Sequence, residues 1–304
     1  MSLIKQDLIK KTAVEALKRA AVVLPKDIKK AIKDAYLREA TEIAKLHFKA
    51  LLENSGMAER KGLPVCGDTG FALFYIKFGD DVHVQGGLSS VEPILKEATR
   101  IATKEIPLRE KAVHPITREN PGTNVGVGIP QVTYRMTDGD FLDLIVVLKG
   151  GGAEKGLYYM KFHPFTKEYI KTIKKSVLDA VIDGNIGGLA CPPNIIGVGI
   201  GGTFDLCTKL AREAAVLRVI GERHREDIVA NLESELVEII NSMGIGFMGM
   251  GGSTSILDVH IEIAYCSSFQ VPIAVNAQCA AARRAVARIF NDGAVEWREN
   301  PEWF

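Results

Sequence analysis

Ile195-Ile-Gly-Val-Gly-Ile-Gly-Gly-Thr-Phe204 runs directly into Asp205-Leu-Cys-Thr-Lys-Leu-Ala-Arg-Glu-Ala-Ala-Val-Leu-Arg-Val-Ile220, and this junction decides the fold class. The first part is a short apolar run punctuated by glycine and reads as a buried strand; the second repeats its apolar residues every three or four positions and predicts a helix over Phe204 to Ile220. Strand, glycine turn and helix in that order form the unit of an α/β fold. Gly197, Gly199 and Gly202 also satisfy GxGxxG, the pattern that brings a pyrophosphate to a helix start. The wider context does not fit a dinucleotide site. That fingerprint needs a second strand ending in an acidic residue about 20 positions on, whereas Gly221-Glu-Arg-His-Arg-Glu-Asp227 is a polar turn. A second match, through Gly244, Gly246 and Gly249, illustrates how permissive the pattern is in glycine-rich sequence. What remains is a set of glycine-exposed amides at a helix start, a suitable cradle for an anion.

Phe71 to Phe78, Val125 to Tyr134, Phe141 to Leu148 and Val271 to Val275 are further strand candidates, and helices are expected at about Val91 to Thr103, Lys167 to Ile182 and Arg225 to Asn241. The last of these helices aligns Ile228, Leu232, Leu236, Ile239 and Ile240 as a core-facing stripe. From Ser2 to about Gly56 the pattern is helical, with Ile4 and Leu8, then Ala13, Ala16 and Ala20, then Ile43, Leu46 and Ala50 at helical spacing, and Pro25 divides the region. Lys26, Lys29, Lys30 and Lys33 read as the solvated face of an amphipathic helix. The expected architecture is α/β: a helical N-terminal segment over residues 1–60, packed on a main domain over 61–304 that holds a mixed sheet with helices.

Composition narrows the function. With 304 residues, 47% hydrophobic and 25% charged, the chain can bury a sizeable core. Its 38 basic and 37 acidic residues give no field for a nucleic acid. No apolar run approaches the length of a membrane helix, and no hydrophobic signal core opens the chain, so a cytoplasmic location is expected. Cys66, Cys191, Cys207, Cys266 and Cys279 are odd in number, widely spaced and free of any CxxC pair, against a secreted disulfide framework.

Three of those cysteines sit in turn-forming stretches: Leu63-Pro-Val-Cys-Gly-Asp-Thr-Gly70, Gly188-Leu-Ala-Cys-Pro-Pro-Asn194 and Asn276-Ala-Gln-Cys-Ala-Ala-Ala-Arg-Arg284. Thiolates at element ends can be brought together by a fold, and a cubane held by three of them keeps one iron open as a Lewis acid. Buried structural cysteines are the plainer alternative; it is retained for Cys207, inside an amphipathic helix, and for Cys266, at a strand end. A three-cysteine zinc site lacks the close sequence pairs zinc prefers. Lys149-Gly-Gly-Gly-Ala-Glu-Lys155 ends another strand with backbone open to a ligand, and Arg109 carries a guanidinium suited to a carboxylate.

Taken together, Cys-Gly-Asp-Thr-Gly, Leu-Lys-Gly-Gly-Gly, Cys-Pro-Pro-Asn with Gly-Ile-Gly-Gly-Thr, and Pro-Ile-Ala-Val-Asn-Ala-Gln-Cys with its Arg-Arg pair resemble the α subunit of class I fumarate hydratase and of L(+)-tartrate dehydratase. The likeness runs from the helical start to Arg284. It implies a [4Fe-4S] cluster held by Cys66, Cys191 and Cys279. It also implies that Asp68 is an acid/base group, that Arg109 and Gly67 lie at the substrate, and that the backbone of Gly152 approaches it. The implied activity is reversible hydration of a small dicarboxylic acid, fumarate/(S)-malate first, with L(+)-tartrate or another 2-hydroxy dicarboxylate as the alternative. A non-catalytic iron–sulfur binding subunit is the alternative of another class. In the family a further region or a separate β subunit supplies additional arginines, a lysine and a threonine; with the chain ending about 20 residues past the third motif, a β subunit and an α2β2 heterotetramer are expected. Three positions depart from the family pattern. Gly67 replaces a glutamine, Ser267 occupies the position of a histidine by counting from Pro272, and Ala280 replaces a tryptophan. His260 is read as a strand residue and not as a substitute for that histidine.

Overall fold

The computed structural model describes residues 2–156, 159–164, 168–188 and 190–304. Contacts divide the chain into two compact units: unit 1 comprises Met1–Pro25, Asn54–Gly150 and Arg283–Phe304, and unit 2 comprises Lys26–Glu53 and Gly151–Ala282. These boundaries differ from the expected 1–60 and 61–304. The first helix packs on the strands of unit 1, while the following helices and the middle of the chain build unit 2.

Unit 1 contains α1 (Gln6–Val22), β1 (Phe71–Gly79), α4 (Val91–Glu105), β2 (Gln131–Thr137), β3 (Phe141–Lys149), β8 (Arg283–Phe290) and β9 (Val295–Arg298). Its five-stranded sheet has the order β2-β1-β3-β8-β9; β1 and β2 are parallel and the remaining pairs antiparallel. Alternation along the strands sends Phe74, Ile76, Leu142, Leu144, Val146 and Ile289 to one face. There they meet Ile9, Ala13, Ala16, Leu17 and Ala20 of α1 and Leu95, Ala98 and Ala102 of α4 in one buried cluster. The opposite face is covered by the C-terminal segment: Trp303 is buried edge-on against Tyr75, and Arg288 clamps Asp143 through bonds of 2.6 and 2.7 Å. The expected strand from Val125 is shorter: Pro130 has no N–H to give a ladder, and pairing begins at Gln131.

Unit 2 contains α2 (Lys26–Arg38), α5 (Gly151–Gly156), β4 (Tyr159–Pro164), α6 (Tyr169–Ile186), β5 (Asn194–Gly201), α7 (Phe204–Leu217), α8 (Asp227–Ser242), β6 (Ile256–Ala264) and β7 (Gln270–Gln278). A further helix, α3 (Glu42–Lys61), begins in this unit and ends in unit 1. Here the sheet order is β4-β7-β5-β6, with β5 and β6 parallel. One face packs on α6 and α8, and the other on α7. The expected helix start at Lys167 lies outside the described residues, as does Leu189 of the second cysteine stretch.

The β5–α7 junction explains its glycines. A Cβ on Gly197 would stand 2.1 Å from the carbonyl oxygen of Ala211, and one on Gly199 would stand 2.1 Å from that of Cys207. Both glycines therefore serve close strand–helix packing, with no nucleotide needed to account for them. Two sequence stripes are corrected. On α8 the buried face is Val229, Glu233, Leu236 and Ile240, and Ile228 is 65% exposed. On α3 the buried residues include Ala44 and Phe48, while Ile43, Leu46 and Ala50 face solvent. The lysines of α2 behave as expected, outward of buried Ile28, Ile32 and Ala35. The amides of β6 meet acidic side chains: Val259 N–H donates to Asp258 (2.9 Å) and Ile261 N–H to Glu233 (2.8 Å). Burial raises the pKa of both carboxyls, and these amide bonds pull it back.

Candidate functional site

In unit 1 the candidate residues gather at one end of the sheet. Cys66, Gly67 and Asp68 lie in the turn that leads into β1, whose Phe71 pairs with Lys149 at the end of β3. The approach is tight: a Cβ on Gly70 would stand 2.2 Å from the Lys149 carbonyl oxygen, so the positive φ of +72° there is held by glycine. Asp68 Oδ1 accepts the Gly70 N–H at 3.1 Å and also pairs with the ammonium of Lys111. Lys111 is brought there by the backbone. Thr69 Oγ1 donates to the Arg109 carbonyl (3.0 Å), Asn124 Nδ2 donates to the same carbonyl (3.2 Å), and Asn124 Oδ1 accepts the Lys111 N–H (2.7 Å). Arg109 itself is exposed beside this corner. Around Gly67 there is open space, with nothing within 4 Å of an added Cβ.

In unit 2 the other two cysteines share one end of the sheet. Cys191 precedes β5 and Cys279 follows β7, strands that pair antiparallel with Ile195 opposite Gln278. Their turns are joined, since Ala280 N–H donates to the Cys191 carbonyl at 2.9 Å. Asn194 Nδ2 donates to the Cys191 carbonyl (3.2 Å), and Gln278 Oε1 accepts the Cys279 N–H (3.2 Å). Next to them His47 Nε2 lies 3.2 Å from the Pro192 carbonyl, its ring stacked on Phe247 at 3.5 Å, and burial lowers its pKa. Gly152 is in the first turn of α5, the short helix that precedes β4.

All five cysteines carry thiols. Cys191 is exposed, and Cys66 and Cys279 are partly so. Cys207 is buried, its thiol 3.3 Å from the Gly199 carbonyl and pushed by burial to a pKa of about 11, as suits a structural residue. Cys266 is exposed, so it is not the core residue expected of a strand end. Among the described residues of either unit taken by itself, no three His, Cys, Asp or Glu side chains form a metal-holding group. Ser267 lies before the first residue of β7 and Cys279 after its last. His260 is fully buried, 3.7 Å from Asp258. Lys111, Asn124, His47 and Asn194 escape sequence reasoning because their places depend on backbone bonds between segments distant in the chain; only Asn194 had a signal, as the last residue of Cys-Pro-Pro-Asn.

A family model described as Fumarate hydratase (Fumerase) matches residues 10–288. A provisionally named L(+)-tartrate dehydratase subunit alpha of Methanocaldococcus jannaschii is 43% identical over 283 residues, covering 92% of this chain and 97% of its own length. The L(+)-tartrate dehydratase subunits alpha of Escherichia coli K12 and Shigella sonnei are each 33% identical over 270 residues, covering 88% of this chain and 86% of theirs. With a family match spanning most of the sequence and relatives at 33–43% identity, the chain belongs to the fumarate hydratase (Fumerase) family.

Proposed function

We propose that this chain, a hydro-lyase by its family, is an α-type subunit that removes water from a small 2-hydroxy dicarboxylic acid and adds it back. The observation that carries the reading is the bond from Ala280 N–H to the Cys191 carbonyl, which holds two cysteine-bearing turns side by side in unit 2. A [4Fe-4S] cluster suits this donor set: two accessible thiols on adjoining turns and a third, Cys66, in a turn held close to the end of β3. Cys66, Cys191 and Cys279 would be its ligands. When bound, such a cluster supplies a Lewis-acidic iron for a substrate hydroxyl.

The chain's own groups divide the remaining work. Lys111 and Arg109 offer cations to substrate carboxylates. Asp68, oriented by Lys111 and the Gly70 amide, holds or moves a proton at its carboxylate oxygen. Gly67 and Gly152 leave room for close approach of backbone. The relatives are named for L(+)-tartrate, and open space at Gly67 suits a substrate more heavily substituted than malate. L(+)-tartrate is therefore the first acid to assay and fumarate/(S)-malate the second. The subunit names of the relatives imply a partner chain, and a β subunit in an α2β2 assembly completes the reading. No helix among the described residues is long and apolar enough to cross a membrane.

The test is anaerobic co-production with the β-type partner, followed by absorbance assays of each acid. Cys191→Ser should lose the cubane absorption and turnover, and Cys207→Ser should lose neither. If the two variants behave alike, the ligand assignment fails.

A further inference from the structure

Arg283 opens β8 opposite Leu148, at the same end of the unit 1 sheet as Asp68, and it is only 1% exposed. None of its Nε, Nη1 and Nη2 atoms has a hydrogen-bond partner among the described residues. A guanidinium stays charged at any physiological pH, and a buried charge without a partner opposes folding. Its neighbours indicate what that charge faces. Nη2 lies 3.7 Å from the point a Cβ on Gly150 would occupy, and Asp68 Oδ2 lies 3.1 Å from the same point. Asp68 is already paired with Lys111. Two cations, Lys111 and Arg283, thus lie about the one carboxylate of Asp68. The acid next in the chain, Glu110, lies against Gly122, with both carboxylate oxygens 3.5 Å from the position of a Cβ there.

We propose that Arg283 is an electrostatic positioning residue whose buried, unpaired charge prepares the Asp68–Lys111 corner to receive a carboxylate. It acts through the field and through Asp68, since its nitrogens are covered, while Asp68 and Lys111 are 31% and 25% exposed and open to a ligand. The inference rests on the reading of the substrate as a small dicarboxylic acid and adds the residue that draws its charge in.

Malonate, a dicarboxylate without a hydroxyl to lose, is the probe, titrated calorimetrically into the full chain. Arg283→Met should weaken malonate roughly ten-fold, the effect of a unit charge a few ångströms away in a partly polar medium. Arg283→Lys should stay within about two-fold, because it keeps the charge. Arg283→Met should also melt at a higher temperature than the wild type, since an apolar chain replaces an uncompensated ion; a residue kept for packing would melt lower and bind malonate unchanged. Equal malonate affinity in wild type and Arg283→Met, equal losses in the Met and Lys variants, a lower melting temperature for Arg283→Met, or no malonate binding by the wild type each overturns the proposal. Binding answers independently of turnover. A chain that dehydrates no acid but binds malonate through Arg283 loses only the functional reading, and an active dehydratase indifferent to Arg283 loses only this inference.

Discussion

Gly197→Ala places one methyl group where β5 meets α7, and its cost follows from the geometry. The new carbon would lie 2.1 Å from the Ala211 carbonyl oxygen and 2.3 Å from the Ala215 nitrogen. An ordinary carbon–oxygen contact is about 3.3 Å or longer, so α7 has to retreat by about 1 Å or β5 has to buckle. Both clashing atoms are backbone, and no rotamer change relieves them. Overpacking of a well-filled core costs about 1–3 kcal/mol, and the rigid contact places this case at the upper end, about 3 kcal/mol. With a urea dependence of about 1–3 kcal/mol per molar, the midpoint should fall by at least about 1 M in equilibrium unfolding followed by far-UV circular dichroism. Gly67→Ala is the control: nothing lies within 4 Å of its added carbon, and its stability should stay within about 0.5 kcal/mol of the wild type. A Gly197→Ala midpoint equal to the wild type's would refute the packing account of these glycines and reopen a ligand-binding one.

Three other outcomes are expected. Arg288→Met strands the buried carboxylate of Asp143 and should cost about 3–5 kcal/mol in urea unfolding, most of it recovered in the double variant Arg288→Met, Asp143→Leu. Burial, reinforced by the charge of Lys161, holds the pKa of His163 below its ordinary 6.5. Below 6.5 the unfolded chain takes up a proton that the folded chain resists, so the stability from neutral His163 is complete above 6.5 and drains as the pH falls through the window beneath it. His163→Gln should flatten the difference between denaturation at about pH 7.5 and about pH 5.5. Gly67→Gln, which restores the side chain usual in the family, should leave the melting temperature unchanged in differential scanning calorimetry, because the position is open.

The strands over Phe71 to Phe78 and Phe141 to Leu148 were legible because their apolar runs are bounded by glycines and charges, and both pair in the structure as β1 and β3. β8 escapes the same reading. Its sequence, Arg283-Arg-Ala-Val-Ala-Arg-Ile-Phe290, carries three arginines that local pattern does not assign to a buried strand: Arg288 is clamped on Asp143, and Arg283 and Arg284 are buried at the strand's start. On α8, Glu233 occupies a core position because its carboxylate meets the amides of His224 and Ile261, which shifts the buried stripe away from Ile228. The turn-forming residues around Cys66, Cys191 and Cys279 mark these stretches in the sequence. Lys111 could not be found that way, since its place beside Asp68 depends on Thr69 and Asn124 holding a loop distant in sequence.

Asp258 of β6 and Glu233 of α8, which meet the amides of β6, bear on how this chain can associate. A bare strand edge invites another chain to continue the sheet, a route to swapped and aggregated forms. Along this margin the amides of Val259 and Ile261 are already occupied by buried carboxylates of the same unit, so an arriving strand finds no donors at those positions. Any association on that side must rely on side-chain complementarity, which disfavours self-polymerisation of the chain by β-addition.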